Sequence, residues 1–431
     1  MREPHVTSKV LLAGGCVLTL GARTPNHQQA DVLIDGEVIA EVGTHLRARD
    51  AEQIDATGTI VMPGFVDTHR HAWTSLLRNA GERGAHTEPA DGGPHGYTPD
   101  DVYASTLIGL LGAVEAGITT VVDWSSAGPD DLAEAALQAH ADAGVRTVFV
   151  DAAPATTGRT VRLRDRAGPS TTIAFGATAQ GVASDGAAAA WASARELGLR
   201  IHLHANANDT ISAVSERGLL GDDVTVVHGS LLAAADVDAI ASSGAAISIA
   251  PVSEMAGGSG SPPIQHLIDS DVRPGLAVDD VRVTPGDLFA QMRAAISMQH
   301  ATVFDRKLAG KGGVPKLMTT RNVIRFATSD GAIAAGLRGV TGSLEAGMRA
   351  DVLVLRADRP NIFPINDPIG AVVWGMDTSN VDWVFVGGRA LMREGVLDAD
   401  VPRARSLATE ARRRMADGSG SIVGAASGGT G

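Results

Sequence analysis

Cysteine is nearly missing from this chain: there is one, Cys16, in 431 residues. A single thiol forms no intrachain disulfide and no thiolate metal cluster. Aromatic residues are scarce at 3%, so the core must be aliphatic. Basic clusters of the nucleic-acid type are also missing. Lys and Arg number 36 against 49 Asp and Glu, a net charge of −13, which argues against nucleic acid as a partner. No apolar run approaches the roughly 18 residues of a membrane-spanning helix, so no membrane partner is expected. The opening "MREPHVTSKV" lacks the long apolar stretch of a signal peptide. The expected location is cytoplasmic.

What is present falls into two textures. From about residue 8 to 62, apolar runs such as "VLLAGG", "ADVLIDG" and "VIAEVG" are closed by glycine, the pattern of a small β-sandwich or barrel. The same texture returns over about 341–400, in "GMRADVLVLRAD" and "VDWVFVGGRAL". Between them, over 63–340, short β-rich runs alternate with Ala- and Leu-rich helical stretches. The runs fall at 60–66, 118–123, 146–150, 171–176, 199–204, 224–228, 246–250 and 273–278. That is the strand count of a (β/α)8 barrel. The expected fold is therefore α/β, a TIM barrel with a composite β-sandwich domain built from both ends of the chain. The segment 401–431 is expected to give a helix and then, after about 417, a disordered tail. One barrel helix is well marked: Thr98 as N-cap, Pro99 at the first position, Asp100 and Asp101 in the first turn, and Gly117 at the C-terminal end.

Active sites of such barrels lie at the C-terminal ends of the strands. Strand 1 ends in "FVDTHRH", where Asp67, His69 and His71 share parity. Strand 5 ends in "HLH" (His202 and His204), strand 6 in "TVVHGS" (His228), and strand 8 in "GLAVDD" (Asp279 and Asp280). Any one histidine at a strand end is more often a hydrogen-bonded structural residue. Four strands ending in metal-type ligands point instead to a metal site. Glu254, in "APVSEM" after strand 7, is either a solvated loop carboxylate or a pocket acid. Arg70 and Trp73 flank the ligands, with Trp73 a pocket wall or a core residue. Gln180 after strand 4 and Asn206 after strand 5 are further substrate-binding candidates, and His86 and His95 could reach the pocket mouth.

"PGFVDTHRH", "HLH", "VVHGS" and "GLAVDD", in this order, together with "GSLEAGMRADVLVL", resemble the amidohydrolase superfamily over residues 8 to 400. The branch most similar holds cytosine deaminase and the chlorotriazine and hydroxytriazine hydrolases. The resemblance implies one divalent metal, zinc first with iron or manganese as alternatives, held by His69, His71, His204 and Asp279. It implies Asp279 as the proton carrier for metal-activated water, and His228 as the group that polarises substrate. His202, one layer deeper, is expected to pack and hydrogen-bond. The strand-4 end "TIAFGAT" lacks the lysine of the two-metal branches. The implied function is hydrolysis of a C–N bond in a small nitrogen heterocycle, as a deaminase. Alternatives are opening or closing of a cyclic amide on the same site, or a barrel that has lost hydrolysis. Members are often oligomers, and a homodimer is expected on that ground alone. One position departs from the pattern. Where the resembled aminohydrolases carry a glutamate three residues after the strand-5 ligand, this chain has Ala207. Glu254 and His228 are then the candidates for the missing acid.

Overall fold

The computed structural model describes residues 9–80, 96–125, 128–152, 157–178, 181–182, 186–205, 210–258 and 260–418. The first five strands are β1 (Lys9–Val17), β2 (His27–Asp35), β3 (Val38–Gly43), β4 (Ala51–Asp55) and β5 (Thr59–Pro63). The last four are β14 (Val352–Arg356), β15 (Val381–Val386), β16 (Arg389–Arg393) and β17 (Val396–Leu397). Together they make one nine-stranded mixed sheet in which β5 lies between β1 and β14. The two ends of the chain meet there, with Met62 opposite Leu353 and Val61 opposite Val354. Alternation of apolar side chains along β1, β2 and β14 gives this sheet its own core of Leu12, Val32, Ile34, Val61, Val352 and Phe385.

The barrel is the second sheet. Its strands are β6 (Phe65–Arg70), β7 (Ile118–Ser125), β8 (Arg146–Asp151), β9 (Thr171–Thr178), β10 (Ile201–His204), β11 (Val224–Val227), β12 (Ala246–Ile249) and β13 (Gly275–Leu276). They are hydrogen-bonded in sequence order and pair in parallel. The first strand was expected at 60–66. That stretch instead divides: Thr59–Pro63 belongs to the mixed sheet and the barrel begins at Phe65. The continuous apolar run "TIVMPGFV" hid the break, because both strands are buried on both faces. Gly64 makes the passage between the sheets. A Cβ there would lie 2.0 Å from Thr119 Oγ1, so only glycine lets the chain cross at that point. The eighth strand is shorter than expected, two residues rather than 273–278.

The helix Pro99–Glu115 starts as its sequence dictates. Thr98 Oγ1 accepts from the Asp101 amide at 3.3 Å, and Asp101 Oδ2 accepts from the Thr98 amide at 2.9 Å, a reciprocal capping box. Gly117 follows its end at φ 79°. The mixed sheet is tied to the N-terminal end of the barrel by a buried ion pair. Arg146, the first residue of β8, donates to both oxygens of Asp351 at 2.7 and 2.9 Å. The chain closes with a helix, Val401–Gly418; the tail expected beyond it lies outside the described residues. Among the described residues no helix is long and apolar enough to cross a membrane.

Candidate metal centre and active site

The seam where the barrel closes is made by the candidate ligands themselves. β13 is too short to complete a ladder with β6. Asp279 forms an isolated parallel bridge with Arg70 instead. The Asp279 amide donates to the His69 carbonyl at 2.9 Å, and the His71 amide donates to the Asp279 carbonyl at 3.1 Å. The backbone thus locks strand 1 and strand 8 together at the level of the ligands. Asp279 and His228 both adopt a left-handed backbone, φ 65° and 74°. For residues with a Cβ this is a strained choice, of the kind found at functional sites.

Five donor atoms meet at these tips. The His69 and His71 Nε2 atoms are 3.2 Å apart. Each lies 3.5 Å from Asp279 Oδ1. The His204 and His228 Nε2 atoms are 2.9 Å apart. The set His69, His71, His204 and the set His69, His228, Asp279 each place their ligand atoms within 4.8 Å of one another. Burial first, and then the imidazoles of His71, His204, His228 and His202, push His69 well below the ordinary histidine value. Its ring is therefore neutral and keeps a lone pair. Imidazoles turned nitrogen to nitrogen beside a carboxylate are the donor chemistry of a divalent transition metal, so these residues fit one.

The surroundings orient this cluster. Ser253 Oγ donates to Asp279 Oδ2 at 2.5 Å from a fully buried position, leaving Oδ1 turned to the histidines. Trp124, at the tip of β7, packs its ring 5.8 Å from His69 and 5.1 Å from His204. Asp123 Oδ1 accepts from the Ala72 amide at 2.9 Å, which holds the turn after His71. Asp123 is held in its turn by His140, at 2.7 Å. Sequence reasoning missed all four of these residues. Ser253 stands beside Glu254 in "APVSEM", and Trp124 ends a strand in "VVDW"; strand-tip position was the available signal.

Glu254 is not a solvated loop carboxylate: it is 2% exposed, on the helix Pro251–Ala256. It accepts from the Ala250 amide at 2.8 Å, from the Gly229 amide at 3.1 Å and from Ser230 Oγ. His228 Nδ1 stands 3.8 Å away. Burial pushes this carboxyl up, but the His228 ring, Ser230 and the Ala250 amide outweigh it and hold it below the usual range. Trp73 is buried in the turn Ala72–Leu77, edge-on to His71 at 6.3 Å, and its Nε1 has no hydrogen-bond partner among the described residues. His202 packs one layer down, as its parity requires. The hydrogen bonding expected of it is not there among the described residues: neither ring nitrogen has a partner in them. Burial, then the Arg200 charge, take it down to about 3. Asp280 turns away from the cluster to Arg282, at 2.6 Å. Asp67 accepts from Arg70 Nε at 2.7 Å and from the Val278 amide at 2.9 Å, a structural use. Gln180, Asn206, Ala207, His86 and His95 lie outside the described residues.

Comparison with known proteins agrees with this geometry. A 5-methylthioadenosine/S-adenosylhomocysteine deaminase of Halobacterium salinarum is 28% identical, over 94% of this chain and 97% of that protein. An adenosine deaminase from Xanthomonas campestris, solved with bound zinc, superposes with a TM-score of 0.79 at 19% identity, covering 95% of this chain and 98% of that one. A mutant atrazine chlorohydrolase from Arthrobacter aurescens TC1, solved with zinc and atraton, gives a TM-score of 0.80 at 22% identity, covering 93% and 99%. The sequence profile of the amidohydrolase family matches residues 60–391, a span that takes in every one of the metal-type ligands, and the chain belongs to that family.

Proposed function

We propose that the strand tips form the active site of a metal-dependent hydrolase that releases ammonia or an amine from a nitrogen heterocycle. The observation that carries this reading is the convergence of four imidazoles and one carboxylate at the closing seam of the barrel. His69, His71, His204 and Asp279 would hold one ion, zinc before iron or manganese. When bound, such an ion supplies Lewis-acid activation of water at neutral pH. The chain's own residues do the rest. Asp279 takes the proton of the attacking water and passes it to the leaving nitrogen. The Ser253 hydroxyl fixes which Asp279 oxygen faces that water. His228 hydrogen-bonds the substrate group next to the attacked carbon, and Glu254, with its oxygens engaged within the protein, positions His228. Trp73 forms a wall; Gln180 and Asn206, outside the described residues, stay substrate-binding candidates by their place in the sequence.

Ala207 favours a second reading. A methyl group transfers no proton and Glu254 is held ionised; with His228 given over to polarising substrate, no group is left to serve as the ring-nitrogen acid of the resembled enzymes. The substrate would then carry an already activated carbon, or the bond would be another one, such as a cyclic amide. General acid help is worth about 10²–10⁴-fold. Plain cytosine or guanine deamination should therefore be slow, and Ala207→Glu should raise it by about tenfold or more.

The test is zinc-loaded protein screened for ammonia release from aminated pyrimidines, triazines and adenine nucleosides, the last suggested by the deaminase relatives. Release from one class, lost in Asp279→Asn with the fold intact, supports the first reading. Stoichiometric metal without release from any class leaves the second. Rapid cytosine deamination by the unaltered chain would sink the interpretation of Ala207.

A further inference from the structure

Away from the strand tips, a cleft of about 830 Å³ opens between the helix Pro99–Glu115, the turn Ala72–Leu77, β17 and the helix Val401–Gly418. That volume lies in the range of small-molecule sites. Its floor is apolar, made by Leu76, Ile108, Leu111, Leu397 and Val401. Its rim carries three guanidinium groups, Arg78, Arg405 and Arg412, and one carboxylate, Glu115. This cationic spot stands in a chain whose net charge is −13.

The arginines of this chain divide into engaged and unengaged ones. On the surface, Arg195 pairs with Asp223 at 2.7 Å and Arg356 with Asp358 at 2.7 Å. Arg412 donates to the Leu76 carbonyl at 2.9 Å. Among the described residues the Arg78 and Arg405 side chains have no hydrogen-bond or ion-pair partner within contact distance. Two guanidinium forks without a hydrogen-bond partner, Arg78 in the field of the Glu115 carboxylate, stand over an apolar floor and match a ligand that is anionic at one end and apolar at the other, because a guanidinium fork fits carboxylate and phosphate oxygens.

We propose that this cleft binds a small amphipathic anion, an apolar body carrying one carboxylate or phosphate, with Arg78 and Arg405 taking the charge and Leu76, Leu111 and Leu397 the body. The site would report to the metal centre through one short turn. Leu76 lies on the floor of the cleft, and its amide donates to Ser105 Oγ at 3.1 Å. Ser105 Oγ in turn donates to the Trp73 carbonyl at 2.5 Å. Trp73 is two residues from His71. An occupant therefore stiffens the turn that carries the candidate ligand.

Anilinonaphthalene sulfonate, an apolar fluorophore with one anionic group, tests this on the full chain, both metal-free and zinc-loaded, so that its outcome is independent of the catalytic reading. Saturable binding to one site is expected. It should weaken at least tenfold in Arg405→Glu and in Arg78→Gln, and stay unchanged in Arg359→Glu, an exposed arginine elsewhere. Thr409→Trp, which fills the cleft and removes no charge, should abolish it. Octanoate should displace the probe at concentrations where inorganic phosphate does not, and should slow amide exchange across residues 72–78. Binding that survives both Arg405→Glu and Thr409→Trp would overturn the site. Displacement by phosphate as readily as by octanoate would overturn the amphipathic class.

Discussion

At the N-terminal end of the barrel, Arg146 meets Asp351 through two hydrogen bonds, and the Gly387 amide adds a third at 2.8 Å. At the C-terminal end, His69 faces His71 and His204 faces His228, nitrogen to nitrogen, with Asp279 between them. Both ends bury polar groups deeply. At the first, charge is matched by opposite charge, and the arrangement is complete as it stands. At the second, like atoms face like atoms, and the strained backbone of His228 and Asp279 keeps them there. The first marks the join between the mixed sheet and the barrel; the second marks the strand tips, where metal-type donor atoms converge.

The sharpest way to break this contrast is to remove one residue from each end. His71→Ala should cost bound metal and activity together, with a fall in rate of about 10³-fold or more, since metal activation contributes several kcal/mol. Metal analysis beside the rate measurement checks it, and a variant that keeps both refutes the ligand assignment. Asp351→Ala should do the reverse. It leaves Arg146 buried and unpaired, at a cost of about 3–5 kcal/mol in stability, with turnover unchanged at a temperature where the fold holds. Denaturant unfolding measures the first, and a rate loss matching that of His71→Ala would erase the distinction between the ends.

Smaller effects sharpen it. Ser253→Ala removes a charge-assisted hydrogen bond worth about 1.5–3 kcal/mol and should lower kcat about tenfold or more while metal content stays whole; an unchanged kcat would mean that Asp279 needs no orienting partner. Glu254→Gln, acting through His228, should lower kcat about tenfold, again without metal loss. The smallest change is expected in the scaffold: Thr98→Ala dissolves the capping box of the helix Pro99–Glu115 and should cost about 1 kcal/mol in stability with no change in kcat.

The barrel, the composite sheet and the ligand histidines were legible because each rests on a local rule. Alternation every second residue puts His69 and His71 on one side of a strand. The count of β-rich runs gave the barrel, and Thr98 and Pro99 announced their helix. The first strand was misplaced because "TIVMPGFV" is apolar throughout, and a run buried on both faces carries no mark of where one sheet ends and the next begins.

Residue type and spacing by themselves determined that this chain makes a barrel with metal-type ligands at its strand tips, because side-chain direction in a strand follows from backbone geometry alone. Only the tertiary structure decided which polar residues serve the cluster. Ser253 reaches Asp279 from 26 positions away and Asp123 reaches Ala72 from 51, and no local rule couples residues so far apart. It also decided the state of His202 and Glu254. Two residues from His204, one imidazole has no hydrogen bond among the described residues, while a carboxylate that looked free for catalysis is spent on amides and a hydroxyl. What a buried polar atom can do depends on which partners the fold brings within about 3 Å of it, and that is settled by packing between elements distant in the chain.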